Sequence, residues 1–179
     1  VVYGEGFGKF KIAMGEKELE FKETYESNYP KVMRLCLGYV NGDYDSARDL
    51  AQEVFIKVWD NLYQFREESK IATWIYRITV NTCLGQLRKD KKKIKNIRLE
   101  TASDYIDSES EIDKEQMLSK LYACINKLSE TNKAIILLEL EDLPQNEIAS
   151  IMGISHEALR TRIHRIKNQL SKCAKNDKF

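Results

Sequence analysis

Apolar residues recur three or four positions apart along almost the whole chain, and the alternation expected of a half-buried strand is nearly absent. In "DLAQEVFIKVWDNL" the aliphatic residues Leu50, Val54, Val58 and Leu62 return at every fourth position and predict one buried stripe on a helix. Leu118, Leu121, Ile125 and Leu128 keep helical spacing further on, and Ser129 stands where it would cap a helix through "KAIILLEL". The stretch "EIASIMGISHEALRTRIHRIKNQL", residues 147–170, predicts a short helix, a glycine turn and a longer helix. Pro144 suits the first turn of the short helix, Gly153 its left-handed stop, and Ser155 the N-cap of the helix that follows. Proline, the strongest helix breaker, occurs only at Pro30 and Pro144. The pattern predicts an all-α fold.

Charge divides this helical chain in two. Residues 77–98 hold eight Lys/Arg against one acid, whereas residues 100–115 hold seven Asp/Glu against one lysine. That acidic, weakly apolar stretch reads as a flexible linker rather than a polar helix packed on a neighbour. The predicted organisation is an N-terminal extension over 1–17, with disorder left open, a helical domain over 18–93 and a linker over 94–115. A second helical domain over 116–173 and a tail over 174–179 follow. The extension begins with the Gly-rich, aperiodic "VVYGEGFGKFKIA" and carries no identifiable chemistry. A chain of 179 residues with a formal charge of +1 is not a uniformly basic coat for nucleic acid, although local asymmetry remains. Cys36, Cys83, Cys124 and Cys173 are widely spaced, with no C-x-x-C pair, and read as free thiols in a reducing cytosol. No apolar run reaches membrane-spanning length and no secretory signal is visible, so a soluble, cytoplasmic protein is expected.

Three surfaces carry candidate chemistry. At about 100° per residue, Leu159, Ile163, Ile166 and Leu170 form one narrow stripe on the last helix. Glu157, Thr161, His164 and Asn168 lie opposite, flanked by Arg160 and Arg165, with Arg162 and Lys167 nearer the rim. A helix that buries such a stripe after a glycine turn is a helix-turn-helix arrangement, and its outer face can enter a DNA major groove. A plain solvated basic helix is the rival reading; caps, turn and stripe together weigh against it. His156 and His164 are eight positions apart and lack the spacing of a zinc-binding helix, so no metal or other cofactor is expected. On the earlier helix, Gln52, Ile56 and Trp59 fall beside Asp49 and Glu53, which suits a protein interface; Trp59 fits the core equally well. On the next, Trp74, Arg77, Asn81 and Arg88 share a sector of about 60°, an aromatic, amide and cationic stripe suited to single-stranded DNA. Trp74 as core, and "RKDKKKIK" as a solvated helix end, are the structural alternatives.

Taken in order, "DLAQEVFIKVWDNL", "TWIYRITVNTCLGQLRK", the acidic linker and "EIASIMGISHEALRTRIHRIKNQL" resemble the bacterial sigma-70 family, specifically its small extracytoplasmic-function group, over roughly residues 20–172. The resemblance implies a transcription initiation factor that binds core RNA polymerase, directs it to promoter DNA and helps to melt it. Its D-L-x-Q-E segment implies docking on the beta-prime coiled coil through Asp49, Gln52, Glu53, Ile56 and Trp59, with the beta subunit a further partner. The next helix would hold the unpaired minus-ten element through Trp74, Arg77, Asn81, Arg88 and Lys89. The minus-thirty-five element would meet Ser155, His156, Glu157, Arg160, Thr161, Arg162, His164 and Arg165. An anti-sigma partner is a further expectation of the family. Two positions depart from its pattern: Arg48 stands where an acid is frequent, and Gly85 replaces the acid of "N-x-x-x-D-x-x-R", at a cost of roughly 1 kcal/mol for a mid-helix glycine. A helix-turn-helix regulator acting without polymerase is the rival from outside the family. An enzyme is not expected, because no nucleophile with its base, convergent carboxylates or ligand cluster is found.

Overall fold

A computed structural model describes residues 5–96 and 112–176, with side-chain detail from Lys17 to Lys89 and from Ser119 to Lys175. Seven helices make up the described chain: α1 (Glu5–Tyr39), α2 (Tyr44–Asn61), α3 (Ile71–Asn96), α4 (Ile112–Asn126), α5 (Glu130–Leu140), α6 (Gln145–Met152) and α7 (His156–Asn176). A single 3-10 turn, Leu62–Gln64, follows α2, and there is no strand among the described residues. Helix α1 already runs through most of the segment set apart as an extension, while the expected linker lies largely on 97–111, outside the described residues.

The local signals act as their chemistry requires. Ser129 caps α5 by accepting the Asn132 amide, and Ser155 accepts the Ala158 amide at the start of α7. Gly153, at φ 65°, ends α6; the Ile154 amide reaches back to the Ala149 carbonyl and the Gly153 amide to Ser150, satisfying carbonyls the helix end would leave bare. Helix α3 passes through Gly85 unbroken, and a Cβ there would touch nothing within 4 Å. The glycine therefore weakens α3 without being needed for packing.

Helices α1, α2 and α3 enclose Leu35, Val54, Val58 and Ile75, and α4 to α7 enclose Ile125, Ile135, Leu138 and Ile166. These two sets of side chains are one contiguous core, joined where α1 meets α5 and where α3 meets α6. Gly38 makes the joint possible, since any Cβ there would collide with the methyl groups of Leu137. Polar contacts close its margins: Arg34 grips Glu141 through two hydrogen bonds of 2.8 and 2.6 Å, and the Asn126 side-chain amide donates to Oδ1 of Asn41.

The expectation of four free thiols requires correction. Cys36 and Cys83 are free and buried side by side, but Cys124 and Cys173 form a disulfide between α4 and the end of α7. A separation of 49 positions carried no hint of this, because only the folding of α7 back along α4 brings the two Cα atoms to 6.0 Å, a bridgeable distance. Closing a loop of that length removes unfolded-state freedom. Cys124→Ser or reduction is expected to lower the stability of the α4–α7 unit by about 2–4 kcal/mol, read as a fall in urea midpoint with reductant present.

Candidate nucleic-acid and polymerase interface

Helix α2 turns its apolar stripe inward, leaving Asp49, Gln52 and Ile56 exposed on the opposite side. Ile56 is 60% exposed, a large apolar side chain with no cover of its own. Glu53 is half-buried and accepts a 2.7 Å hydrogen bond from Lys57, whose ammonium also donates to Thr82 on α3. Trp59 answers to neither simple reading. One side of its ring takes the edge of Phe21 at 5.1 Å between centroids, and the Lys17 ammonium sits 4.2 Å from its centre. Phe21 belongs to an aromatic row on α1, with Tyr25 and Tyr29, that packs against Phe55. The indole is thus half-covered by α1, a contact invisible from the periodicity of α2.

The stripe expected on α3 divides. Trp74 stacks obliquely on Phe65, at 5.4 Å, and with Asn81 it lines a groove of about 370 Å³ between α2 and α3. Lys57, Asn61, Gln64, Ile78 and Thr82 complete the lining. An aromatic face, three side-chain amides and one ammonium around such a space suit an unstacked base, which presents a flat face and several donor and acceptor edges. Sequence reasoning missed Lys57, Asn61, Gln64 and Thr82, although the amides clustered at the end of α2 were the available signal. Arg88 and Lys89 lie exposed further along α3. Arg77 instead reaches α6, donating to the Ser150 carbonyl at 3.0 Å and to its hydroxyl at 3.2 Å.

On α7 the burial follows the expected stripe: Leu159, Ile163 and Ile166 are buried and Leu170 is half-buried. Ser155, His156, Glu157, Arg160, Thr161, Arg162, His164 and Arg165 are all exposed. Two polar contacts lie along that face, Thr161 donating to the Glu157 carbonyl and Asn168 meeting the His164 ring at 3.1 Å. Lys167 is committed elsewhere, to Glu139 of α5 at 2.8 Å. Among the described residues no cluster of His, Cys, Asp and Glu could hold a metal ion.

Two family models match the chain, sigma-70 region 2 over residues 24–93 and sigma-70 region 4 over residues 118–170. The chain belongs to the sigma-70 family. Within it, the extracytoplasmic-function (ECF) RNA polymerase sigma-E factor of Haemophilus influenzae is 34% identical over 172 residues, 89% of each chain. The RNA polymerase sigma factor YlaC of Bacillus subtilis is 28% identical over 162 residues, 86% of this chain and 94% of that one. In fold, the chain is similar to the sigma factor RpoE from Bartonella quintana, solved with the anti-sigma factor NepR, with a TM-score of 0.70 at 21% identity over 89% of this chain and 99% of that one. It is similar also to CnrH, solved with the cytosolic domain of CnrY, with a TM-score of 0.66 at 19% identity, covering 89% and 90%. This is an ECF-type sigma factor: it binds core RNA polymerase, directs it to promoter DNA and is not itself an enzyme. The regulator acting apart from polymerase is not favoured, because the region 2 match accounts for the helices that such a protein would not need.

Within the sigma factor, the Glu147 carboxyl is altered by its surroundings. Hydrogen bonds from the Lys70 ammonium and the Thr73 hydroxyl hold its carboxyl below the usual glutamate value. A depressed carboxyl stabilises the α3–α6 contact above its ordinary pKa and loses that effect as pH falls through the lowered one. NMR titration of the Glu147 carboxyl is therefore expected to give a pKa below 4.5, the ordinary value, and Lys70→Met is expected to raise it.

Proposed function

We propose that the sigma factor divides its work among these three surfaces. Asp49, Gln52, Glu53 and Ile56, with the open edge of Trp59, dock on the beta-prime subunit, and the second helical unit meets the beta subunit. The exposed isoleucine amid carboxylates and an amide supports this reading: an apolar anchor with a polar rim is the composition of a protein interface. The groove beside Trp74 and Asn81 receives an unpaired base of the minus-ten element, while Arg77, Arg88 and Lys89 take its phosphates. The outer face of α7 reads the minus-thirty-five duplex, with Ser155 and His156 at its N-terminal end near phosphate. Glu157, Arg160, Thr161 and His164 face the bases, and Arg162 and Arg165 flank them.

The factor acts where polymerase does, in the cytoplasm, and no helix among the described residues is long and apolar enough to cross a membrane. The RpoE structure named above holds an anti-sigma factor and the CnrH structure a second protein, which supports an inhibitory protein partner here as well. The observation that carries the whole reading is that an interface patch, a base-sized groove and a basic helix face occur in one chain, in the order of the two matched regions.

Binding to purified core polymerase tests the docking face: Gln52→Ala with Ile56→Ala is expected to weaken it by about 2 kcal/mol, roughly thirtyfold, with helicity by circular dichroism unchanged. Unaltered affinity would remove the assignment. Melting is tested separately. Asn81→Ala is expected to leave recruitment to duplex promoter DNA intact while lowering permanganate reactivity of unpaired thymines, since an amide reads a base edge and the cations hold phosphate.

A further inference from the structure

The stripe on the outer side of α2 does not stop with the helix. At about 100° per residue, Gln52, Ile56 and Trp59 share one sector, and Tyr63, four positions further on, would extend it by a turn. Helix α2 ends at Asn61, so spacing alone does not place Tyr63. A shared cation does. The Lys17 ammonium stands 4.2 Å from the centre of the Trp59 ring and 4.5 Å from that of Tyr63, which makes the two rings neighbours around one charge. Tyr63 is 65% exposed, although a ring of its size gains much from burial.

Two aromatic rings at this distance from an ammonium form a cation clamp, since the negative faces attract positive charge. Lys17 fills it from α1, the helix whose Phe21 meets the same indole edge-on. A guanidinium suits such a clamp better than an ammonium, because its plane is flat, weakly hydrated and able to stack on a ring. The surroundings are acidic as well. Asp60 is exposed next to Trp59 in the chain, Asp49 and Glu53 lie back along α2, and Glu18 and Glu20 are exposed within a turn of Lys17. Carboxylates so placed repel a phosphate backbone and attract a basic protein surface. The stripe also leads directly from Gln52 and Ile56, on the docking face, to the clamp.

We propose that Trp59 and Tyr63 receive an arginine side chain of the beta-prime subunit, and that Lys17 occupies the clamp until that arginine displaces it. This role rests on the reading of α2 as the polymerase-docking face, and it carries that face past the end of the helix to a residue outside the D-L-x-Q-E segment. Lys17 leaves by rotating its own flexible stem, with no change of backbone. One cation replaces another, so the charge at the rings is unaltered; the complex gains the closer stacking of a guanidinium and the exclusion of water by docking.

Equilibrium binding of the full chain to purified core polymerase tests the exchange, with circular dichroism confirming that each variant is folded. Tyr63→Leu keeps apolar bulk without the ring and is expected to weaken binding about fivefold, and Tyr63→Phe, which restores the ring, to recover most of that loss. Lys17→Met removes the resident cation and is expected to tighten binding about two- to threefold. Unchanged affinity of a folded Tyr63→Leu overturns the clamp. So does a Lys17→Met that binds no better than the parent, since Tyr63 then packs by shape alone or Lys17 merely fastens α1 to α2. If Tyr63→Leu loses helicity, Lys17→Met decides by itself. The underlying reading is judged by the Gln52→Ala, Ile56→Ala pair: weak binding there beside normal binding by Tyr63→Leu leaves the docking face standing without the clamp, and normal binding by both removes the two together.

Discussion

A helix with no polar side must be enclosed on every side, and α5 is such a helix. Six consecutive residues, from Lys133 to Leu138, are buried, so no rotation about its axis offers water a tolerable face. Helices α4, α6 and α7 cover most of it, and α1 covers the remainder across Gly38. Even the one charged member of that run, Lys133, donates to the side-chain oxygen Oδ1 of Asn126. The architecture follows from this requirement. Region 4 gathers around α5 because of it, and region 2 rests on region 4 because α4, α6 and α7 leave one side of α5 open.

The same requirement explains what could be read in advance. Elements whose evidence is local were legible: the start of α6 announces itself through Pro144, the turn between α6 and α7 through Gly153 and Ser155, and the inward stripe of α7 through Leu159, Ile163 and Ile166. The sequence motifs likewise carried the family, and with it the function. Features made by two distant segments were not legible. Trp59 is shaped by Phe21 and Lys17 of α1, the groove by Asn61 and Gln64 beside Asn81, and the disulfide by the return of α7 along α4. Lys167, a plausible phosphate contact on a helical wheel, meets Glu139 on another helix. A wheel records angle about one axis and says nothing of what stands opposite.

Hydrogen-bond donors do not discriminate among the oxygens that satisfy them. Arg77 is satisfied by the Ser150 carbonyl and hydroxyl at the end of α6, and Lys70 by the Glu147 carboxylate. A carboxylate fixed on the same chain is always present at high local concentration. Helix α6, with Glu147 in its first turn and Ser150 near its end, presents its acceptors in register with Lys70, Thr73 and Arg77.

The covalent bond between Cys124 and Cys173 gives region 4 a property that none of its non-covalent contacts provides. The bond closes a ring of chain that contains all of α5 and α6 and most of α7. A protease that cuts once in the turn between α5 and α6 opens this ring without dividing the molecule, so both pieces stay attached and α7 stays tethered to α4. Parting the two pieces takes a second cut or a reductant, so a single nick in this turn leaves region 4 covalently whole.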